Sequence, residues 1–231
     1  LEEVVRRKPD SMKALLLLVQ IEEKKGDKKR LKDLYEKVYS LAPDNEIVLY
    51  NLAVLEYEAG NREKSLSLFE AYLKNHPKDV ETLRFLFDLY KKEKKEDSAF
   101  ATARTLLTLN AKDPSLYPFV FEHLNARNDF KQLAEIMQEG IQARPENVEL
   151  RQYLVFALLK LGQEEAAAEQ LAQLSKLKPK DMNLLLQLAR LQEKLDHTKE
   201  AMETYKKIVE ISPGHQEAEE AYLRLRLKEL R

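Results

Sequence analysis

Four histidines, His76, His123, His197 and His215, are the side chains best suited to acid–base or metal chemistry near neutral pH. A helical metal site needs two imidazoles one turn apart, and none of the four has a partner at that spacing. His76 and His215 flank Pro77 and Pro213 and read as loop residues. His123 stands where Leu55 and Leu89 stand in neighbouring segments and reads as a packed histidine. Cysteine is absent, which removes disulfides, thiolate metal sites and thiol nucleophiles. No glycine-rich phosphate loop occurs, and no constellation of Ser or Asp suggests a nucleophile. The run Lys91, Lys92, Glu93, Lys94, Lys95, Glu96 and Asp97 mixes signs and is expected to be a solvated turn rather than a polyanion site. A chain that is not an enzyme, with neither cofactor nor metal, is the expectation.

The elements that could position any functional group are helices. Only 5 Gly and 8 Pro occur in 231 residues and 34% of residues are charged, with Leu, Ala, Glu, Lys and Gln dominant. These side chains lose little freedom on entering a helix. Thirty-nine basic against forty acidic side chains give a net charge of −1, which offers a nucleic acid no excess of positive potential. No apolar run approaches the roughly 20 residues of a membrane span. A soluble chain is expected, with the cytoplasm and the periplasm both open.

Pro9, Pro43, Pro77, Pro145, Pro179 and Pro213 lie on one grid of 34 residues, with Ala111 at the single vacant point. The same grid aligns Leu18, Leu52, Leu86, Val120, Leu154 and Leu188, then Val19, Ala53, Phe87, Phe121, Val155 and Ala189. It also aligns Tyr35, Phe69, Ala103, Met137, Leu171 and Tyr205. Within a segment the apolar residues follow helical spacing, as in Leu49, Leu52, Ala53 and Leu55, then Leu66, Phe69, Tyr72 and Leu73. Each segment therefore carries two amphipathic helices. Gly26, Gly60 and Gly162 fall between the two stripes, where a left-handed residue can end the first helix.

This pattern resembles the tetratricopeptide repeat, a unit of 34 residues. Leu185, Leu188, Ala189, Ala201, Tyr205 and Pro213 reproduce its spacing, and Leu49, Leu52, Ala53, Phe69 and Pro77 nearly do. No segment has the leading Trp, Leu31 stands where a small residue is usual, and Arg151 replaces an apolar opener. The resemblance implies an all-α fold, a right-handed superhelical solenoid of antiparallel helix pairs forming one domain over residues 1–231. It divides into a half repeat at 1–11, repeats at 12–45, 46–79, 80–113, 114–147, 148–181 and 182–215, and a capping helix at 216–231. Leu1 falls inside a second helix, so a longer protein is expected around this chain. The fourth repeat should be irregular, with Asp113 and Pro114 as cap and first helical residue and Pro118 disturbing the ladder a turn later.

The resemblance places a concave face along the outward residues of each first helix. Tyr50, Asn51, Val54 and Tyr57 of the second repeat, Arg84, Phe85 and Asp88 of the third, Phe119 of the fourth, and Gln152, Tyr153 and Phe156 of the fifth are the candidate contacts there. Filling space between adjacent first helices is the lesser alternative for Phe85, Phe119 and Tyr153. Tyr50 and Tyr57 sit off the stripe of Leu49, Leu52, Ala53 and Leu55, so their loss is expected to affect binding more than folding. Some family members grip a C-terminal carboxylate with Lys, Asn and Arg. Here only Asn51 matches, because Leu16, Gln20, Glu81 and Phe85 occupy the other places.

The expected function is a protein-interaction scaffold that binds a peptide or helical segment in this groove, without nucleic acid or membrane insertion. The alternative is a regulatory or substrate-presenting domain of an enzyme whose catalytic part lies outside these residues. Leu227 and Leu230, if exposed, would allow a weak homodimer through the chain ends.

Overall fold

The computed structural model describes residues 1–110 and 113–229. Ala111 and Leu230, which figure in the expectations above, lie outside the described residues. Two compact units emerge, Leu1–Leu109 and Asn110–Arg231. Among the described residues the regular structure is helical, with no strand.

Unit 1 contains α1 (Glu2–Arg7) and three antiparallel pairs: α2 (Met12–Lys25) with α3 (Lys28–Leu41), α4 (Glu46–Glu58) with α5 (Arg62–Asn75), and α6 (Val80–Lys92) with α7 (Glu96–Leu109). Unit 2 contains a 3₁₀ turn, Pro114–Leu116, leading into α8 (Tyr117–Ala126), which pairs with α9 (Phe130–Ala143). It continues with α10 (Val148–Lys160) and α11 (Glu164–Leu177), α12 (Met182–Lys194) and α13 (Thr198–Ile211), and the single α14 (Gln216–Glu229). First helices thus begin at Met12, Glu46, Val80, Val148, Met182 and Gln216, one grid step or two apart.

Local chemistry explains these boundaries. Asp27, Asn45, Asp129, Asn147 and Asp181 each accept a hydrogen bond from the backbone N–H three residues on, which stabilises a helix start by about 1 kcal/mol. Gly26, Gly60 and Gly162 end first helices at φ of 77°, 85° and 70°. Lys94, Asn128 and Asp196 complete that grid at φ of 56°, 57° and 58°. A non-glycine residue costs roughly 1–2 kcal/mol in this region. Asn and Asp tolerate this region better than most residues, so only at Lys94 do the stacked helices impose a turn that the local sequence does not favour. The run from Lys91 to Asp97 spans this turn in the third repeat, with Lys91 and Lys92 ending α6 and Glu96 and Asp97 opening α7.

Burial follows the grid. Leu18, Val19, Tyr35, Leu52, Ala53, Phe69, Leu154, Leu171, Leu188, Ala189 and Tyr205 are all buried. Small residues at full burial, such as Ala53, Ala103, Ala189 and Ala201, allow paired helices to approach closely. The first and last full repeats share a further device. Tyr35 Oη donates to Glu23 at 2.7 Å and Tyr205 Oη to Glu193 at 3.3 Å, each tying the second helix of a pair to the first. Burial, then the neighbouring carboxylate, pushes the Tyr205 phenol up to about 12.

The fourth repeat departs from its neighbours. Asp113 accepts from the Ser115 N–H and caps the 3₁₀ turn. The α-helix starts only at Tyr117, so Pro118 falls in its first turn, where a missing N–H removes no ladder bond. The break therefore precedes Pro118 rather than arising from it. Tyr117 fills the opener position that Leu49 and Leu83 fill elsewhere, and Gly140 on α9 makes room for it. A Cβ at Gly140 would stand 2.7 Å from Tyr117 Oη and 2.8 Å from two ring carbons. Gly140→Ala is expected to destabilise unit 2 by about 1–3 kcal/mol through this overpacking. Urea denaturation reads the loss, and combining it with Tyr117→Leu should restore most of it.

The chain ends expose apolar residues. Leu1 and Val4 are exposed and Val5 is half-buried, because α1 packs as a lone helix against α2. On α14, Ala218, Ala221 and Leu225 are buried while Leu223 and Leu227 are exposed.

Candidate functional site

In unit 1 the candidate aromatics meet rings of the second-helix apolar stripe. Tyr50 on α4 packs edge-on against Phe69 and Tyr72 of α5, with centroids 5.6 and 5.3 Å apart. Tyr57 meets Phe85 of α6 edge-on at 4.9 Å, and Phe85 meets Phe69 at 5.0 Å. Tyr72 stacks on His76, whose Nε2 lies 2.9 Å from a Glu46 oxygen. Tyr50, Val54 and Tyr57 recur at helical spacing and face both α5 and α6. This overturns the expectation that Tyr50 and Tyr57 stand apart from interhelix packing, since their rings join three helices. Tyr50, Val54, Tyr57, Phe69, Glu81, Thr82 and Phe85 line a cavity of about 120 Å³. Asn51 turns its amide back to the Ile47 carbonyl at 2.8 Å. Arg84 is half-buried and Asp88 exposed.

In unit 2, Phe121 of α8 stacks on Tyr153 at 4.3 Å and meets Phe156 edge-on at 5.2 Å, both on α10. Phe156 also meets Phe130 of α9 at 6.0 Å, and Lys160 Nζ lies 5.5 Å from the Phe156 centroid. Tyr153 Oη donates to Glu149 at 2.9 Å; burial first, then this carboxylate, pushes its phenol up to about 12. Phe119 stacks on the buried His123 at 6.0 Å. The structure thus joins Tyr153 and Phe156 in one cluster through Phe121, a residue whose bulk at a position held by Ala53 and Ala189 was the available sequence signal.

Beside this cluster a groove of about 800 Å³ opens between α10 and α12, floored by α11. Phe156, Leu159, Leu171, Leu174 and Leu191 supply its apolar wall, and Leu159 is 45% exposed. Gln152, Asn183, Gln187, Arg190 and Lys194 supply the polar rim. Arg190 is held by both Glu217 oxygens at 2.6 Å, and Lys194 by Glu164. The side-chain amides of Gln152, Asn183 and Gln187 make no hydrogen bond among the described residues.

Arg151, the departure from an apolar opener, is buried at 8% exposure. It donates to Gln170 Oε1 at 2.6 Å and to the Pro145 carbonyl at 2.8 Å, leaving Nε without a partner among the described residues. Burial pushes its pKa down. A buried cation held only by neutral acceptors is poorly compensated. Arg151→Met is accordingly expected to gain about 1 kcal/mol in a denaturant titration; a loss of stability would show that the two hydrogen bonds outweigh desolvation.

No curated protein matches the chain at a significant level. Solved structures do. A chain from the structure of Naa15/Naa10 bound to HypK-THB aligns over 97% of this chain with a TM-score of 0.56 and 14% identity, and this chain spans 35% of that one's length. YrrB, a TPR protein with an unusual peptide-binding site, aligns at TM-score 0.47 and 16% identity over 81% of this chain and 96% of its own. A tetratricopeptide repeat protein from Parabacteroides merdae ATCC 43184 aligns at 0.42 and 18% over 97% and 89%. At 14% identity the first likeness concerns the fold alone. Among the described residues no helix is long and apolar enough to cross a membrane. Profiles of the tetratricopeptide repeat match residues 13–45, 48–79, 124–185 and 183–215, more than half of the sequence, and with the stacked helix pairs they establish that this chain belongs to the tetratricopeptide repeat family.

Proposed function

We propose that the chain is an interaction scaffold that holds a peptide or helical segment of another protein along the outward residues of its first helices. The observation that carries this is the unit 2 groove. Its volume of about 800 Å³ suits a bound segment, and its apolar wall is rimmed by three side-chain amides with no hydrogen bond among the described residues. An apolar floor takes side-chain anchors, while free amides pair the backbone groups that any peptide brings. Tyr153 and Phe156 extend the wall as rigid rings, which lose few rotamers on binding.

Photo-crosslinking tests the reading. A crosslinking residue at Gln187 in the groove should label one defined segment of a partner, and Leu159→Asp should cut that yield about tenfold by placing a charge in the apolar wall. The same residue placed at Gln173, exposed on the second helix α11, should label it weakly. Labelling from Gln173 alone would move the site off the groove.

A further inference from the structure

The small cavity of unit 1 differs in chemistry from the unit 2 groove. Four aromatic residues line it, Tyr50, Tyr57, Phe69 and Phe85, together with Glu81. Glu81, Phe85 and Asp88 recur at four and three residues along α6, so two carboxylates flank the Phe85 ring on one helical face. Neither carboxylate has an ion-pair partner among the described residues, and the hydroxyls of Tyr50 and Tyr57 make no hydrogen bond there either. Nearby charges are otherwise engaged: Glu46 meets His76 and Glu58 meets Lys28, while Arg84 stands on α6 between the two acids.

A cavity lined by π-systems, phenol oxygens and an acidic residue attracts positive charge. Its volume of about 120 Å³ corresponds to roughly four water molecules, room for a guanidinium or for an ammonium together with its adjoining methylenes. We propose that this cavity takes the cationic head of a lysine or arginine side chain carried by the bound partner segment. The assignment rests on the scaffold reading above, and it names the chemistry of one anchor: a basic residue seated in unit 1.

Nuclear magnetic resonance titration of the full chain at constant ionic strength tests it without a partner protein, so its outcome is separate from that of the crosslinking. N-acetyl-arginine amide and N-acetyl-lysine amide are the main probes, with choline and its neutral isostere 3,3-dimethylbutan-1-ol beside them. At least one amino-acid amide should shift the ring resonances of Tyr50, Tyr57 and Phe85 saturably, and choline should bind about tenfold more tightly than its isostere. Glu81→Gln, at an exposed position outside the ring packing, should weaken the cations about threefold or more and leave the isostere unchanged. Tyr57→Leu keeps apolar bulk and should weaken the cations likewise. Equal binding of choline and its isostere, or no saturable shift with the fold intact, would overturn the assignment. Tighter binding of choline than of either amide would replace the side chain by a quaternary ammonium ligand and overturn it too.

Discussion

Replacing Lys32 and Lys64 together by Met should cost about 3–5 kcal/mol of folding stability at pH 7, toward the lower end because Lys64 is partly exposed. Glu56 on α4 is fully buried, at 0% exposure. Its carboxylate is met by Lys32 Nζ at 2.8 Å, Lys64 Nζ at 2.6 Å and Asn61 Nδ2 at 2.6 Å. Burial alone would push the carboxyl up, but the hydrogen bonds from Lys32, Lys64 and Asn61 outweigh it and hold the group at about 2. The folded value lies below the ordinary 4.5, so the stabilisation is fully present above that value. It is lost as pH falls from about 4.5 through about 2 and is on the order of 3 kcal/mol. With both lysines gone, burial dominates and the carboxyl protonates more readily, so the variant should gain on acidification relative to the parent. Urea titrations at pH 7, 5 and 3 read both effects, and equal stability of parent and variant at pH 7 would refute the account.

The double variant Tyr50→Ala, Tyr57→Ala should lose about 2–4 kcal/mol of stability. It removes the contacts of Tyr50 with Phe69 and Tyr72 and that of Tyr57 with Phe85, which couple α4 to α5 and α6. In a solenoid each pair is stabilised mainly by its neighbours, so the loss should appear as early unfolding of unit 1 in hydrogen exchange. Binding would fall as well if the rings are anchors, by about 2–4 kcal/mol. The Tyr50→Phe, Tyr57→Phe pair separates the two contributions. It retains the rings, so stability should change by less than about 0.5 kcal/mol, while any partner group bonded to the hydroxyls is lost. An Ala pair as stable as the parent would return both rings to the surface role that their spacing alone suggested.

The helix boundaries were legible in the sequence because they depend on residues with strong local preferences. Proline cannot continue a helix, Asp and Asn cap one, and Gly26, Gly60 and Gly162 relax into the left-handed turn. Of the equivalent turns, Asn128 and Asp196 carried a weaker form of that signal, since Asn and Asp also visit the left-handed region, and Lys94 carried none. The candidate site was legible only in part. Periodicity placed Tyr50, Tyr57, Tyr153 and Phe156 off the main stripes, yet a helix has more than two faces, and which neighbour a third face meets depends on how successive pairs stack.

Composition, the 34-residue grid and its caps thus determined an all-helical repeat chain from local terms alone, because each acts within one helix or turn. Tertiary structure decided what lies between helices. Phe69 and Tyr72 became partners of Tyr50, Phe121 became the link between Tyr153 and Phe156, Gly140 admitted Tyr117, and two lysines compensated the buried Glu56. Each pairing joins side chains on different helices, so its energy depends on interhelix distance and direction, which no spacing along a single chain encodes.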